Sequence, residues 1–147
     1  MNPLTNLKRI YFIGIGGIGM SALARYFNTQ GVIVSGYDKT PTALTDSLIK
    51  EGISIHFEDD LNQMDKAATV IVYTPAIPAE HSEYNYYKDN GYLVVKRSDV
   101  LQWVTENAFT IGIAGTHGKT TTTSMTAHIL RHTGYGCNAF LGGIASN

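Results

Sequence analysis

Two glycine-rich segments carry the residues whose types and spacing suit phosphate chemistry. The first, Gly14-Ile15-Gly16-Gly17-Ile18-Gly19, fits G-x-G-x-x-G. Set between a strand and a helix, such a run gives each glycine a task. Gly14 permits a tight turn, Gly16 lets the backbone approach a phosphate, and Gly19 lets helix and strand pack closely. The helix start then offers free N–H groups and the positive end of a dipole. Asp38 lies 19 residues past Gly19, where a carboxylate accepts from a ribose hydroxyl. The spacing leaves the nucleotide open: NAD is the default, and any diphosphate-linked nucleoside uses the same parts.

The second segment, Gly115-Thr116-His117-Gly118-Lys119-Thr120, reads as a P-loop variant. Its N–H groups wrap the phosphates of a triphosphate such as ATP, Lys119 reaches the β/γ oxygens, and the Thr120 hydroxyl is placed for Mg²⁺. The strict G-x-x-x-x-G-K-[ST] spelling is not met. Ile113 stands where it needs glycine, and Gly112 comes one residue too early. Thr120 to Thr123 form a poor helix-forming run, tolerable at a helix start where hydroxyls meet free N–H groups or a ligand. His117 is balanced between a phosphate-side role and loop packing.

Both loops need a strand before them and a helix after them. Arg9–Ile13 reads as a strand and Ile18–Gln30 as a helix closed by Gly31. Further strands are expected at Val32–Ser35, Ile53–Phe57, Val70–Tyr73 and Leu93–Val95, with helices at Thr42–Glu51 and Glu80–Asn90. Ser98 reads as the N-cap of a short helix through Val104. A sixth strand is expected at Thr110–Ala114, a helix at Lys119–Thr133, and a seventh strand at Asn138–Leu141. Short apolar strands alternating with helices predict a doubly wound, Rossmann-like α/β fold with a parallel sheet. The polar Thr105-Glu106-Asn107 stretch divides residues 1–107 from residues 108–147, which read as the start of a P-loop ATPase domain.

Composition excludes several classes. The chain has 147 residues, 44% hydrophobic and 16% charged, and a net charge of -1. No global field draws nucleic acid or a membrane surface, so an anionic ligand must be held locally. One cysteine, Cys137, excludes a disulfide framework and reads as a small buried hydrophobe. Lys8, Arg9 and Ala22-Leu23-Ala24 imitate a signal peptide, but four glycines interrupt its apolar part. No run of about 18 apolar residues spans a bilayer, and a cytoplasmic protein is expected. His128 and His132, four apart on a helix, lack a third metal ligand and read as surface or packing residues. Glu58, Asp59 and Asp60 read as a solvated loop. Tyr84, Tyr86 and Tyr87 read as part core and part exposed.

The stretch GIGGIGMS from Gly14 to Ser21, with Ser35-Gly36-Tyr37-Asp38 and AGTHGKTTTT, resembles the Mur ligase family. The resemblance covers essentially the whole chain, but only the front third or so of such an enzyme. The family's own P-loop also lacks the outer glycine. The resemblance implies an ATP-dependent ligase of peptidoglycan precursor synthesis, which joins L-alanine to UDP-N-acetylmuramate through an acyl phosphate. It implies that Gly14, Ile15, Gly16, Gly17, Ile18 and Gly19 cradle uridine diphosphate instead of NAD, with Asp38 near the uridine. Thr74, Pro75 and Ala76 then lie at the diphosphate and sugar edge, and Arg97 offers a forked donor to a phosphate. Gly115, Thr116, His117, Gly118, Lys119, Thr120 and Thr121 would hold ATP, with Lys119 and Thr120 catalytic and Thr120 on Mg²⁺. The family's metal-binding glutamate and histidine, its modified lysine and its amino-acid-binding domain fall beyond Asn147. These residues alone are therefore expected to bind the sugar nucleotide without turnover. Residues 108–147 are expected to dock on a neighbour, such as another copy, or to move against the first domain. A muropeptide-recycling ligase and, more remotely, an NAD-binding oxidoreductase domain are the competing readings.

Overall fold

The computed structural model describes residues 3–106 and 108–141. Asn107 and residues 142–147, parts of the expected boundary and second unit, lie outside them. Five strands are β1 (Arg9–Ile13), β2 (Ile33–Tyr37), β3 (Ser54–His56), β4 (Val70–Tyr73) and β5 (Leu93–Lys96). All pair in parallel in the order β3-β2-β1-β4-β5. Helices α1 (Ile18–Thr29), α2 (Ala43–Lys50), α3 (Ser82–Asp89), α4 (Arg97–Glu106) and α5 (Lys119–His132) complete the fold. The expected doubly wound α/β architecture is present.

Strand alternation sorts β1 onto two cores. Ile10 and Phe12 face a cluster with Met20, Leu23 and Phe27 of α1, Leu48 of α2, and Val100 and Val104 of α4. Trp103 of α4 packs at its margin. Tyr11 and Ile13 face the other way, with Tyr37, Ile71, and Tyr87 of α3. Helices therefore cover both faces, and every strand tip at the C-terminal edge points to the same rim. Strand order reverses beside β1, between β1 and β4, which is where open α/β sheets bind ligands.

Local chemistry sets the helix starts. Thr42 and Thr45 form a reciprocal capping box at α2. The helix expected from Ser98 begins instead at Arg97, because the Asp99 carboxylate accepts from the Lys96 N–H at 3.1 Å. Tyr87 is buried, as expected of part of the group, but Tyr84 and Tyr86 are half-buried and none of the three is exposed. Cys137 is half-buried instead of buried; its thiol faces the Ala127 carbonyl at 3.7 Å.

Two expected strands do not form. Thr110–Ala114 and Asn138–Leu141 carry no ladder. A strand needs a partner for its N–H and C=O groups, and none of the five strands offers one there. The apolar residues remain outward: Phe109 is 96% exposed and Ile111 54%. Helix α5 has no buried residue, and Phe140 reaches α1 through an edge contact with Tyr26 at 5.9 Å.

Gly36 was not singled out by its spacing, yet it is tightly constrained. A Cβ there would lie 2.5 Å from the Phe12 carbonyl oxygen and 3.0 Å from Ile15 Cδ1. Backbone cannot yield as a side-chain tip can. Gly36→Ala should lower stability by about 2 kcal/mol through overpacking, read as a fall in the urea midpoint at constant m-value.

Candidate functional site

The loop after β1 turns at Gly14, whose φ of +86 belongs to the left-handed region. Its amides are largely committed. Gly14 and Ile15 both donate to the Tyr37 carbonyl, at 2.8 and 3.0 Å, and Gly17 donates to Gly14 at 3.3 Å. Gly16 donates to Asp38 Oδ2 at 2.7 Å. The first intrahelical bond of α1 runs from Ser21 to Gly17 at 2.8 Å. The N–H groups of Ile18, Gly19 and Met20 precede it, and no side chain caps them. They are the donors that the loop leaves open, the arrangement by which helix starts take anions.

Three neighbours surround this loop. A Cβ on Gly14 would meet Ile77 Cδ1 at 3.3 Å and Thr74 Cγ2 at 3.9 Å, so the turn after β4 lies alongside. Thr74 organises that turn: its hydroxyl accepts from the Ala76 N–H at 3.2 Å, across Pro75. On the other flank, a Cβ on Gly19 would collide with an Arg97 guanidinium nitrogen. The closeness expected of Gly19 thus serves Arg97 and not a strand. Gly16 is also revised. A Cβ there would lie 2.7 Å from Asp38 Oδ2 and 2.9 Å from Thr45 Cγ2, so a side chain would displace Asp38 before it met a ligand. The rim gathers Gly14, Ile15, Gly16, Gly17, Ile18, Gly19, Asp38, Thr74, Pro75, Ala76 and Arg97 around the sheet's switch point.

The second loop forms a separate group at the start of α5. Gly118, with φ of +78, is the N-cap. The Lys119 ammonium folds back onto the carbonyls of Gly115, at 2.5 Å, and Thr116, at 3.3 Å. Lys119, Thr120 and Thr121 precede the first intrahelical bond, from Thr122 to Gly118 at 2.9 Å. Gly115 through Thr121, including His117, are exposed. Among the described residues no group of three His, Cys, Asp or Glu side chains could hold a metal ion. Thr120 alone is a weak ligand, so Mg²⁺ there requires phosphate oxygens as well. His128 and His132 stack at 6.0 Å on α5 and are both exposed, the surface role that was one of the two expected.

A buried polar network behind the rim escaped the sequence reading. Glu83, fully buried in the first turn of α3, accepts from the Tyr11 hydroxyl and pairs with His56 Nε2 at 2.6 Å. Burial and the Glu83 charge push the Tyr11 phenol well above its usual range. Asp59 is exposed, as expected of a solvated run, and its carboxylate also accepts from the N–H groups of Ser82 at 2.8 Å and Glu83 at 3.1 Å. Burial opposes its ionisation, but these N–H groups and His81 outweigh that and hold its carboxyl below the usual range. His81 accepts from Tyr84 N–H through Nδ1, lies edge-on to Tyr37 at 4.6 Å, and leaves Nε2 buried.

A groove of about 540 Å³ lies at the opposite, N-terminal edge of the sheet, lined by Arg9, Ile33, Ser54 and Asp65 among others. Its charges are spent on each other, Arg9 to Asp65 at 2.9 Å. The glycine rim, not that groove, has donors to offer a ligand.

Fold and rim together define a Rossmann-like α/β unit with a glycine-rich loop and an uncapped helix start at its switch point. A family model described as "Mur ligase family, catalytic domain" matches residues 9–108, and the chain belongs to that family. It is 58% identical over 96% of its length to a UDP-N-acetylmuramate–L-alanine ligase of Porphyromonas gingivalis, covering 32% of that protein. The corresponding ligase of Phocaeicola vulgatus is 52% identical over 98% of the chain, again with 32% of the relative covered. A crystal structure of the UDP-N-acetylmuramate–alanine ligase of Thermotoga maritima superposes with a TM-score of 0.85 at 33% identity, covering 95% of this chain and 33% of that one. A murein peptide ligase of Psychrobacter arcticus gives 0.76 at 29% identity, with 86% and 27% covered. The chain thus spans about a third of the length of the relatives it matches.

Asp59 yields a test of the rim's support. Its native pKa lies below the unfolded one, so its contribution is present above the unfolded value and lost as pH falls through the native value. Asp59→Ala should cost about 1 kcal/mol at pH 7, as lost helix-start acceptors do. The gap between variant and parent should narrow in acid, followed by urea midpoints from pH 7 down to the carboxylate range.

Proposed function

We propose that this chain is the N-terminal portion of an ATP-dependent ligase that joins L-alanine to UDP-N-acetylmuramate in the cytoplasm, in peptidoglycan precursor synthesis. The observation that carries this is the rim: uncapped amides of Ile18, Gly19 and Met20 with the Arg97 guanidinium against Gly19, in a chain 58% identical to such a ligase. A diphosphate suits these donors because charge-assisted N–H bonds are strong and the Arg97 fork is planar. Thr74, Pro75 and Ala76 border the sugar side, and Asp38 borders the ribose. Among the described residues no helix is long and apolar enough to cross a membrane, in keeping with a soluble substrate.

Residues 1–107 form the sugar-nucleotide unit in this reading, and residues 108–147 begin the ATP-binding unit. The exposed apolar residues Phe109, Ile111, Met125 and Ile129 support this, because a surface of that kind belongs against further structure. Bound ATP supplies the phosphoryl group that turns the lactyl carboxylate into an acyl phosphate open to the alanine amine. Lys119 would leave its loop carbonyls for phosphate oxygens, the amides of Lys119, Thr120 and Thr121 would hold the same group, and Thr120 would help to hold Mg²⁺.

Calorimetric titration with UDP-N-acetylmuramate, NAD and ATP in parallel tests the reading. The sugar nucleotide should bind at least about tenfold more tightly than NAD, because both carry the diphosphate but only the first has the sugar that Thr74, Pro75 and Ala76 border in this reading. Equal or tighter NAD binding would sink the proposal. Gly19→Ala should leave the urea midpoint nearly unchanged, because an Arg97 tip can swing aside. It should weaken UDP-N-acetylmuramate by about tenfold, the worth of one charge-assisted contact.

Catalysis needs donors held in a rigid, dry site, whereas Gly115 through Thr121 are exposed and α5 has no buried residue. A coupled phosphate-release assay with ATP, Mg²⁺, L-alanine and the sugar nucleotide should therefore show no turnover by these 147 residues. Turnover abolished by Lys119→Ala would refute that expectation.

A further inference from the structure

We infer that Asp38 is a positioning residue for the glycine loop, and that it moves the phosphate seat from Gly16 to the amides of Ile18, Gly19 and Met20. A carboxylate that served only the ribose would leave the Gly16 N–H free for the ligand. Here that N–H is spent on Asp38 Oδ2 at 2.7 Å.

Asp38 is itself held from two further directions. Its Oδ1 accepts from the Thr40 N–H at 3.1 Å, and its own N–H donates to the His56 carbonyl at 3.1 Å. The carboxylate is thus oriented by the chain beyond β2 and by the tip of β3. It is no loosely placed side chain waiting for a hydroxyl. The glycine is shaped to match: the carboxylate oxygen lies 2.7 Å from where a Gly16 Cβ would stand, and Thr45 closes the other side at 2.9 Å. With Gly14 and Ile15 on the Tyr37 carbonyl, three successive loop amides are tied to the end of β2. The chain direction into α1 is set before a ligand arrives. Binding then costs less ordering of the loop.

The placement also answers an electrostatic difficulty. A carboxylate beside a diphosphate repels it, unless its charge is turned onto donors of its own. Asp38 spends its charge on two N–H groups and leaves Arg97 and the first turn of α1 to the anion.

The test compares Asp38→Ala with Asp38→Asn, because the asparagine carbonyl can still accept from Gly16. The first readout is hydrogen exchange at the Gly16 amide, referenced to Tyr11 and Phe12 in β1, and it needs no ligand. Asp38→Ala should speed Gly16 exchange about tenfold or more relative to that reference, and Asp38→Asn should stay within about threefold of the parent. The second readout is affinity for UDP and for 2′,3′-dideoxy-UDP, and this arm rests on the functional reading above. A positioning role predicts that Asp38→Ala weakens both nucleotides by about tenfold and that Asp38→Asn recovers the dideoxy ligand. Unchanged Gly16 exchange, or a dideoxy ligand indifferent to Asp38→Ala, would overturn the inference and return Asp38 to the ribose alone. If the parent chain bound neither nucleotide, the functional reading would fall, and the exchange comparison would still decide what Asp38 does.

Discussion

The Tyr37 carbonyl accepts two hydrogen bonds, from Gly14 and Ile15, and this double acceptance fixes the junction of β1 and β2 on which the rim is built. It is possible because Gly36 carries no side chain, so the chain leaving β1 can fold over β2. Asp38 extends the same clamp by one residue to Gly16. The arrangement converts a parallel ladder into a rigid corner. The first turn of α1, just beyond the corner, inherits its direction.

A second constraint acts from the opposite face. Glu83, fully buried, is shared between the Tyr11 hydroxyl and His56 and so ties α3 to β1 and β3. Polar groups in a low-dielectric core hold geometry strictly, because an unpaired one is costly. Asp59 and His81 continue the network to the α3 start, just past the turn that begins at Thr74. The two flanks of the rim are thereby braced by different means: backbone acceptance on the β2 side, buried side chains on the β4 side.

The glycine loop, Asp38 and the parallel α/β order were legible, because each is written in local spacing and period. The roles inside the loop were less so. That Gly16 faces Asp38, and Gly19 faces Arg97, depends on segments brought together by the sheet. Glu83 was illegible for the same reason. In the polar stretch SEYNYYKD it reads as an outward first-turn acid, and its partners lie 72 and 27 residues away in sequence. The strands expected at Thr110–Ala114 and Asn138–Leu141 failed differently. Their apolar character is real, but strand structure is a property of a pair, and no partner adjoins them.

Helix α4 joins the rim to the core as one stiff rod. Arg97 begins it against Gly19, and Trp103, the chain's single tryptophan, sits six residues along at the margin of the first core. At the rise of an α-helix the two are about 9 Å apart. The indole is therefore a native optical probe of this helix, with no competing tryptophan. A shift of α4 that draws the guanidinium toward an anion alters the packing around that ring, so emission colour and quenching report events at the rim without any label.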